Sequence, residues 1–363
     1  MKKLLTVVGT RPNFIKITQL KKVAKNLAPD VELKIVHTGQ HNDDKMSKIF
    51  FEQFQLDAPD YFLQIDNKTQ AGQLGQIILG LEKIMQEYKP DWVMVAGDVT
   101  STLAGALAAN KCGIKIAHLE SGLRSNDRSM PEEINRILTD EITDRYFVTE
   151  QSGYDNLLAE GKAKEKIFFV GNTMIDTMVA FENEIETSDV LSSLNVADKN
   201  FVLVTMHRPA TVDSKEGLEK LYSIFQKIAE RYTIVFPAHP RTKQNMEKFG
   251  LAAQFKALPI VFTEPMDYFS FQKLIKYCTF VLTDSGGIQE ETTFLQKPCI
   301  TLRPNTERPI TVTSGSNTLS ALDFTAITKL IEEIENGTYK KGVIPPMWDG
   351  KATSRVIETF INN

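Results

Sequence analysis

Short apolar runs rich in Val, Ile and Leu alternate along the chain with longer stretches of helical period, and this alternation restricts the fold more than any single motif. The runs are LLTVVG (4–9), ELKIVHTG (32–39), WVMVAGD (92–98) and KIAHLESG (115–122) in the first half. FVLVTMH (201–207), YTIVFPAHP (232–240), FVLTDSGG (280–287) and KPCITLR (297–303) follow in the second. Strands that alternate with helices form parallel sheets covered on both faces. At 363 residues the chain exceeds one ordinary core, so two such sheets are expected, one per domain. The predicted fold class is α/β, with two Rossmann-like, doubly wound domains whose loaded edges face a central cleft. The polar stretch ENEIETSDVLSSLNVADKN (182–200) has weak periodicity, which places the domain change near residues 175 to 185.

Composition excludes several classes. With 42% apolar residues, 24% charged residues and a net charge of −4, the chain reads as a soluble enzyme or binding protein, without a basic surface for nucleic acid or an anionic membrane. The opening MKKLLTVVGT is too short for a signal peptide and runs into GTRP, so it reads as a first strand. No apolar segment is long enough to cross a bilayer, and Cys112, Cys278 and Cys299 are isolated and odd in number, which fits a reducing cytoplasm. Neither GxGxxG nor GxxxxGK[ST] occurs, and neither CxxC nor HExxH, so no dinucleotide cofactor, P-loop or metal is expected.

In doubly wound sheets ligands collect at the carboxyl ends of the strands. Arg11, Gln40, His41, Asp98 and Glu120 stand there in the first half, and His207, His239 and Asp284 in the second. The halves also open alike, LLTVVGTRP and FVLVTMHRP, each a strand running into Arg-Pro. TDSGGIQEE (283–291) predicts a helix start suited to an anion, capped by Asp284 or Ser285, with Gly286 and Gly287 allowing close approach of a phosphate. Glu290 and Glu291 fall in its opening turn on this reading, where they equally suit a helix that only complements its own dipole. MPEEINRILTDEI (130–142) predicts another helix, with Pro131 first and Ile134, Ile137, Leu138 and Ile142 as its buried stripe. Its Glu132 either belongs to a site or pairs with Arg136 at i, i+4. His207 beside Arg208, and His239 near Arg241, suit phosphate recognition, although a lone histidine is more often simply packed.

GTRPNFIK, TGQH, GDVTSTLAGALAA, HLESGLRS, MPEEINRIL, GNTMID, MHRP, PAHPRT, DSGGIQEE and TERP occur here in the order seen in the non-hydrolysing UDP-N-acetylglucosamine 2-epimerase family, which the whole chain resembles. HTGQH followed by MSKIFFEQ is more similar to the branch that includes epimerases of UDP-2,3-diacetamido-2,3-dideoxyglucuronic acid, some members of which act on plain UDP-GlcNAc. The resemblance implies a fold similar to the B-type glycosyltransferases, with domains 1–175 and 176–345 and a helix in 346–363 crossing back to the first. It implies catalytic roles for Asp98, Glu120, Glu132 and His207. UDP-sugar contacts would come from Arg11, Lys16 and Arg136 in the first domain. In the second they would come from His239, Ser285, Gly286, Gly287, Glu291 and Arg308, with Glu291 on the ribose and Glu290 structural. A homodimer is also implied. The chain departs from many members at Pro209 and Ala210 in HRPATV, at TERPIT, and at QHNDD (40–44), where members regulated by a second UDP-GlcNAc carry a QHR-type loop.

The implied reaction inverts C2 of UDP-GlcNAc to give UDP-ManNAc, a precursor of surface polysaccharide, or acts likewise on the diacetamido-uronic acid. C2 has no neighbouring carbonyl, so UDP must leave C1 as the proton is lost, giving a glycal and an oxocarbenium-like transition state. Carboxylates on both faces and a firm grip on the diphosphate are what such chemistry asks of a protein. A UDP-sugar-dependent glycosyltransferase and a non-catalytic UDP-sugar sensor are the rival readings.

Overall fold

A computed structural model describes residues 1–40, 51–66 and 69–361, and the backbone but not the side chains of Pro209 and Ala210. His41 to Asp44 of the QHNDD loop, and the first five residues of MSKIFFEQ, lie outside the described residues. The chain divides into two compact units, Met1–Ala180 with Pro346–Asn363, and Phe181–Pro345.

The first unit is built on β1 (Lys2–Val8), β2 (Val31–His37), β3 (Tyr61–Phe62), β4 (Trp92–Ala96), β5 (Lys115–Leu119), β6 (Arg145–Val148) and β7 (Ile167–Phe169). All pairings are parallel, in the order β3-β2-β1-β4-β5-β6-β7. The second holds β8 (Phe201–Thr205), β9 (Thr233–Pro237), β10 (Ile260–Thr263), β11 (Val281–Thr283), β12 (Cys299–Leu302) and β13 (Asn317–Ser320). These are also parallel, ordered β10-β9-β8-β11-β12-β13. The α/β class and both sheets are as the alternation predicts. The strands without a long apolar run of their own, β3, β6, β7, β10 and β13, are all four residues or shorter and lie toward the sheet edges.

Apolar runs without alternation follow from burial on both faces. Phe201, Leu203, Val235 and Val281 pack into one core of the second unit, while Val202, Val204, Ile234, Phe236 and Leu282 pack into another. Successive residues of β8 point to opposite faces, and each face is covered. In the first unit Leu5, Val7, Val93 and Val95 meet Ile77, Leu81 and Met85 of the Gln70–Tyr88 helix. No helix among the described residues is long and apolar enough to cross a membrane.

In both sheets the order changes direction beside the first strand, between β1 and β4 and between β8 and β11. Loops leaving these neighbours diverge to opposite faces, which opens a crevice at the carboxyl edge. GTRP and AGD flank one such point, MHRP and DSGG the other.

The helix Ala352–Ile361 belongs to the first unit. Asp176 of the GNTMID segment accepts from the N–H groups of Ala352 (3.1 Å) and Thr353 (2.5 Å), satisfying two donors that a helix start leaves open. Arg145 donates to the Thr359 carbonyl (2.7 Å) and Lys2 to that of Phe360 (2.8 Å), so cations meet the negative end.

Candidate active site

The site in the first unit begins where β1 ends. Asn13 accepts from the N–H groups of Gly9 and Thr10, both at 3.3 Å, and donates to the carbonyl of Ala96 at 2.9 Å. This fastens the start of the Arg11–Ile17 helix to the end of β4 and brings Lys16 over the turn that follows. A Cβ on Gly97 would stand 2.9 Å from Lys16 Nζ, and Gly97 has φ +67°, so only glycine fits there. Lys16 forms an ion pair with Glu120, their side chains only 6% and 5% exposed.

Glu120 also has a left-handed backbone, φ +67°, rare for any residue but glycine. Such a conformation costs about 1–3 kcal/mol and persists where its surroundings impose it. Here the N–H groups of Glu120 and Ser121 both donate to the Phe147 carbonyl, at 3.0 and 3.1 Å. Asp98 is held by Arg136, whose guanidinium bridges the carboxylates of Asp98 and Glu133.

The helix Pro131–Glu141 departs from expectation. Leu138 is 47% exposed and Ile134 and Ile137 are only partly buried, whereas Glu133, Arg136, Thr139 and Asp140 are buried. Its inward face is polar because each charge on it finds a partner, which removes the penalty that makes buried charges rare. Glu133 accepts from the N–H groups of Ser125 (3.0 Å) and Asn126 (2.9 Å) as well as from Arg136. Burial pushes the Glu133 carboxyl up, but these donors hold it below the usual carboxylate range. Arg136 therefore pairs with Glu133 at i, i+3 and not with Glu132, which is exposed on the same helix.

In the second unit the anion-type helix runs Gly286–Phe294, and neither Asp284 nor Ser285 caps it with a side chain. Asp284 instead accepts from the N–H groups of His207 (3.0 Å) and Arg208 (2.8 Å) and meets His207 Nδ1 at 2.7 Å. The acid that follows β11 thus organises the loop that follows β8. Burial pushes its carboxyl up, yet His207 and the two amides hold it below the ordinary range. Because the helix starts at Gly286, its first turn holds no acid, and Glu290 and Glu291 lie in the second. The two acids do not confront an anion at the helix start.

Glu290 is fully buried and pairs with Arg308 Nε at 2.7 Å. Arg308 also pairs with Glu307, which in turn meets Arg303 Nη2 at 3.0 Å. A Cβ on Gly286 would come within 2.8 Å of Glu307 Oε1 and 2.9 Å of Arg308 Nη1, so the helix start rests directly on this quartet. Burial lowers the Arg303 pKa, Glu307 opposes this, and Arg208 and Arg308 nearby add to the lowering. Of these cations Arg308 is the one that reaches Gly286. Buried Nε and Nη1 of Arg303 meet no acceptor among the described residues.

Other singled-out residues have the following places. His239 is exposed and caps the Pro240–Lys248 helix, its Nδ1 accepting from Arg241 N at 3.2 Å, while Arg241 pairs with Asp213. Gln40 caps the Thr100–Lys111 helix, accepting from Ser101 N at 2.9 Å. Arg11 opens its helix half-buried, and Glu291 is buried. Arg303, Glu307, Glu133 and His118 had no distinguishing sequence signal: each sits inside a quoted motif, but an isolated charge in a motif does not reveal its partner.

The residues 24–361 match the family model described as UDP-N-acetylglucosamine 2-epimerase. A UDP-N-acetylglucosamine 2-epimerase of Methanocaldococcus jannaschii is 40% identical over 361 residues, covering 98% of each chain. A UDP-2,3-diacetamido-2,3-dideoxy-D-glucuronate 2-epimerase of Pseudomonas aeruginosa is 38% identical, again over 98% of each. The crystal structure of the M. jannaschii UDP-GlcNAc 2-epimerase in complex with UDP-GlcNAc and UDP superposes with a TM-score of 0.90 at 39% identity, covering 99% of this chain and 100% of that one. With the two doubly wound sheets and the paired acids at their loaded edges, these matches lead to one conclusion: the chain belongs to the UDP-N-acetylglucosamine 2-epimerase family.

Proposed function

We propose that this protein interconverts UDP-GlcNAc and UDP-ManNAc by eliminating UDP to a glycal and adding it back. The observation that carries the reading is the pairing of loop-end acids with cations in the first unit, Glu120 with Lys16 and Asp98 with Arg136. These acids are fixed in place, and one of them occupies a backbone conformation that costs stability. Carboxylates used for proton transfer need this kind of fixed placement.

In the forward direction the C1–O bond breaks and its electron pair leaves with UDP, while the C2 proton passes to a carboxylate. Re-addition reverses these steps with the proton delivered to the other face of C2, so no external oxidant or reductant enters. Asp98, Glu120 and Glu132 serve as the acid–base set, with His207 as a further catalytic residue. Ser285, Gly286 and Gly287 hold the leaving diphosphate through the uncapped helix start, with Arg11, Lys16, Arg136, His239 and Arg308 as further substrate contacts and Glu291 on the ribose. The Arg308 guanidinium, 2.9 Å from where a Cβ on Gly286 would stand, supports an anionic leaving group at that helix start. The protein acts as a cytoplasmic homodimer on this reading, consistent with its free cysteines.

Similarity to the Pseudomonas enzyme favours a second reading, the same inversion on the diacetamido-uronic acid. Both are tested by incubating the protein with a panel of UDP-sugars in heavy water. Deuterium at C2 of the recovered UDP-sugar is the expected result, and the sugar that exchanges fastest identifies the substrate. Transfer of the sugar to an acceptor, or binding without exchange across the panel, would overturn the reading.

A further inference from the structure

Three consecutive carbonyls at the end of β4 are each held by a side chain from a different element. Asn13 Nδ2 and Thr102 Oγ1 donate to Ala96 O, at 2.9 and 2.7 Å. His118 Nε2 meets Gly97 O at 2.8 Å, and Asn135 Nδ2 donates to Asp98 O at 2.8 Å. The peptide that carries Asp98 is thereby fixed from three sides.

His118 differs from the other clamps in what stands behind it. It is fully buried on β5, two residues before Glu120. Its Nδ1 meets Asp140 Oδ1 at 2.7 Å, and Asp140 is equally buried. Asp140 Oδ2 accepts from Gly122 N (3.0 Å) and from Arg124 (2.7 Å), and Arg124 pairs with Glu160 at 2.7 Å. Since carbonyl and carboxylate oxygens only accept, the ring links them by donating from both nitrogens. One imidazole therefore joins the loop after β4, which bears Asp98, to the loop after β5, which bears Glu120 and Gly122.

We infer that His118 is a positioning residue that sets Asp98 in register with Glu120 through the Gly97 carbonyl. The inference rests on the proposed C2 chemistry, in which two carboxylates must address one carbon from fixed places, and where a misplacement of about 1 Å costs on the order of 100-fold in rate. Asp140, Arg124 and Glu160 hold the ring's orientation, much as outer partners fix a histidine elsewhere.

Two substitutions separate the halves of the link. A Gln amide nitrogen falls near the Nε2 position and keeps the donor to Gly97, whereas an Asn amide nitrogen falls near Nδ1 and keeps only the donor to Asp140. For His118→Asn, kcat for C2 exchange should fall about 100-fold, with KM and UDP affinity within about twofold of the unmodified protein. For His118→Gln, kcat should stay within about tenfold. Thermal stability should rank the other way, because Asn preserves the partner of a buried carboxylate and Gln does not. Activity that follows stability, with Asn more active than Gln, would overturn the positioning role. The unmodified protein run in parallel separates the two ideas: no exchange there overturns the proposed chemistry and this role with it, whereas exchange there with equal loss in both variants overturns the role alone.

Discussion

Replacing Gly286 with Ala sets two physical effects against each other. In a helix Ala is favoured over Gly by up to about 1 kcal/mol, so a variant judged by local propensity alone should be more stable. The structure predicts otherwise. The new Cβ would stand 2.8 Å from Glu307 Oε1 and 2.9 Å from Arg308 Nη1, about half an ångström inside ordinary van der Waals contact. Both groups are side-chain ends, which elsewhere would swing away. Here they are buried and tied into the chain of pairs Arg303–Glu307–Arg308–Glu290. Relief requires moving Arg308 away from the helix start, where the proposed diphosphate would lie. A hydrogen bond to a charged group contributes about 1.5–3 kcal/mol, so losing one weakens UDP binding roughly 10- to 150-fold. Titration calorimetry with UDP, alongside thermal unfolding, reads both quantities. UDP bound at full affinity by a variant with a raised melting temperature would refute the reasoning, since it would mean that the quartet yields freely.

Three other outcomes follow from the same geometry. Asp98→Asn and Glu120→Gln should each lower C2 exchange by about 100- to 10,000-fold while UDP calorimetry stays near the unmodified value; a parallel loss of UDP affinity would move these acids from chemistry to binding. Glu290→Gln removes the carboxylate from a fully buried pair with Arg308 and should cost about 3–5 kcal/mol in denaturant unfolding, so a change below about 1 kcal/mol would mark the pair as dispensable. Asp284 has its carboxyl held below the ordinary range, so its stabilisation is present above the unfolded value of about 4 and is lost as pH falls through the lower folded value. The stability difference between the unmodified protein and Asp284→Asn should accordingly be largest near neutral pH and shrink below about pH 4, and a difference that grows on acidification would contradict the assignment.

The central strands were legible because burial on both sheet faces imprints uninterrupted apolar runs on β1, β4 and β8 and on the segment that carries β11. Short edge strands such as β3 and β13 left no comparable signal, since two to four residues cannot establish a period. The Pro131–Glu141 helix shows a different failure. Its helical nature and its start at Pro131 could be read, but its inward face could not, because Glu133, Arg136 and Asp140 look solvated until their partners are seen. The same holds for Asp284, whose position before Gly-Gly suggested a cap while its carboxylate serves the loop after β8.

Local chemistry alone determined the central strands and the longer helices, the α/β class, and which loops carry acids, histidines and glycines, because periodicity and turn residues act over a few positions. Tertiary structure alone decided the pairings: Lys16 with Glu120, Arg136 with Asp98, Arg308 with Glu290, and His118 between Gly97 and Asp140. A buried charge takes its meaning from the group within about 3 Å of it, and that neighbour is chosen by strand order and helix packing across tens of residues of chain.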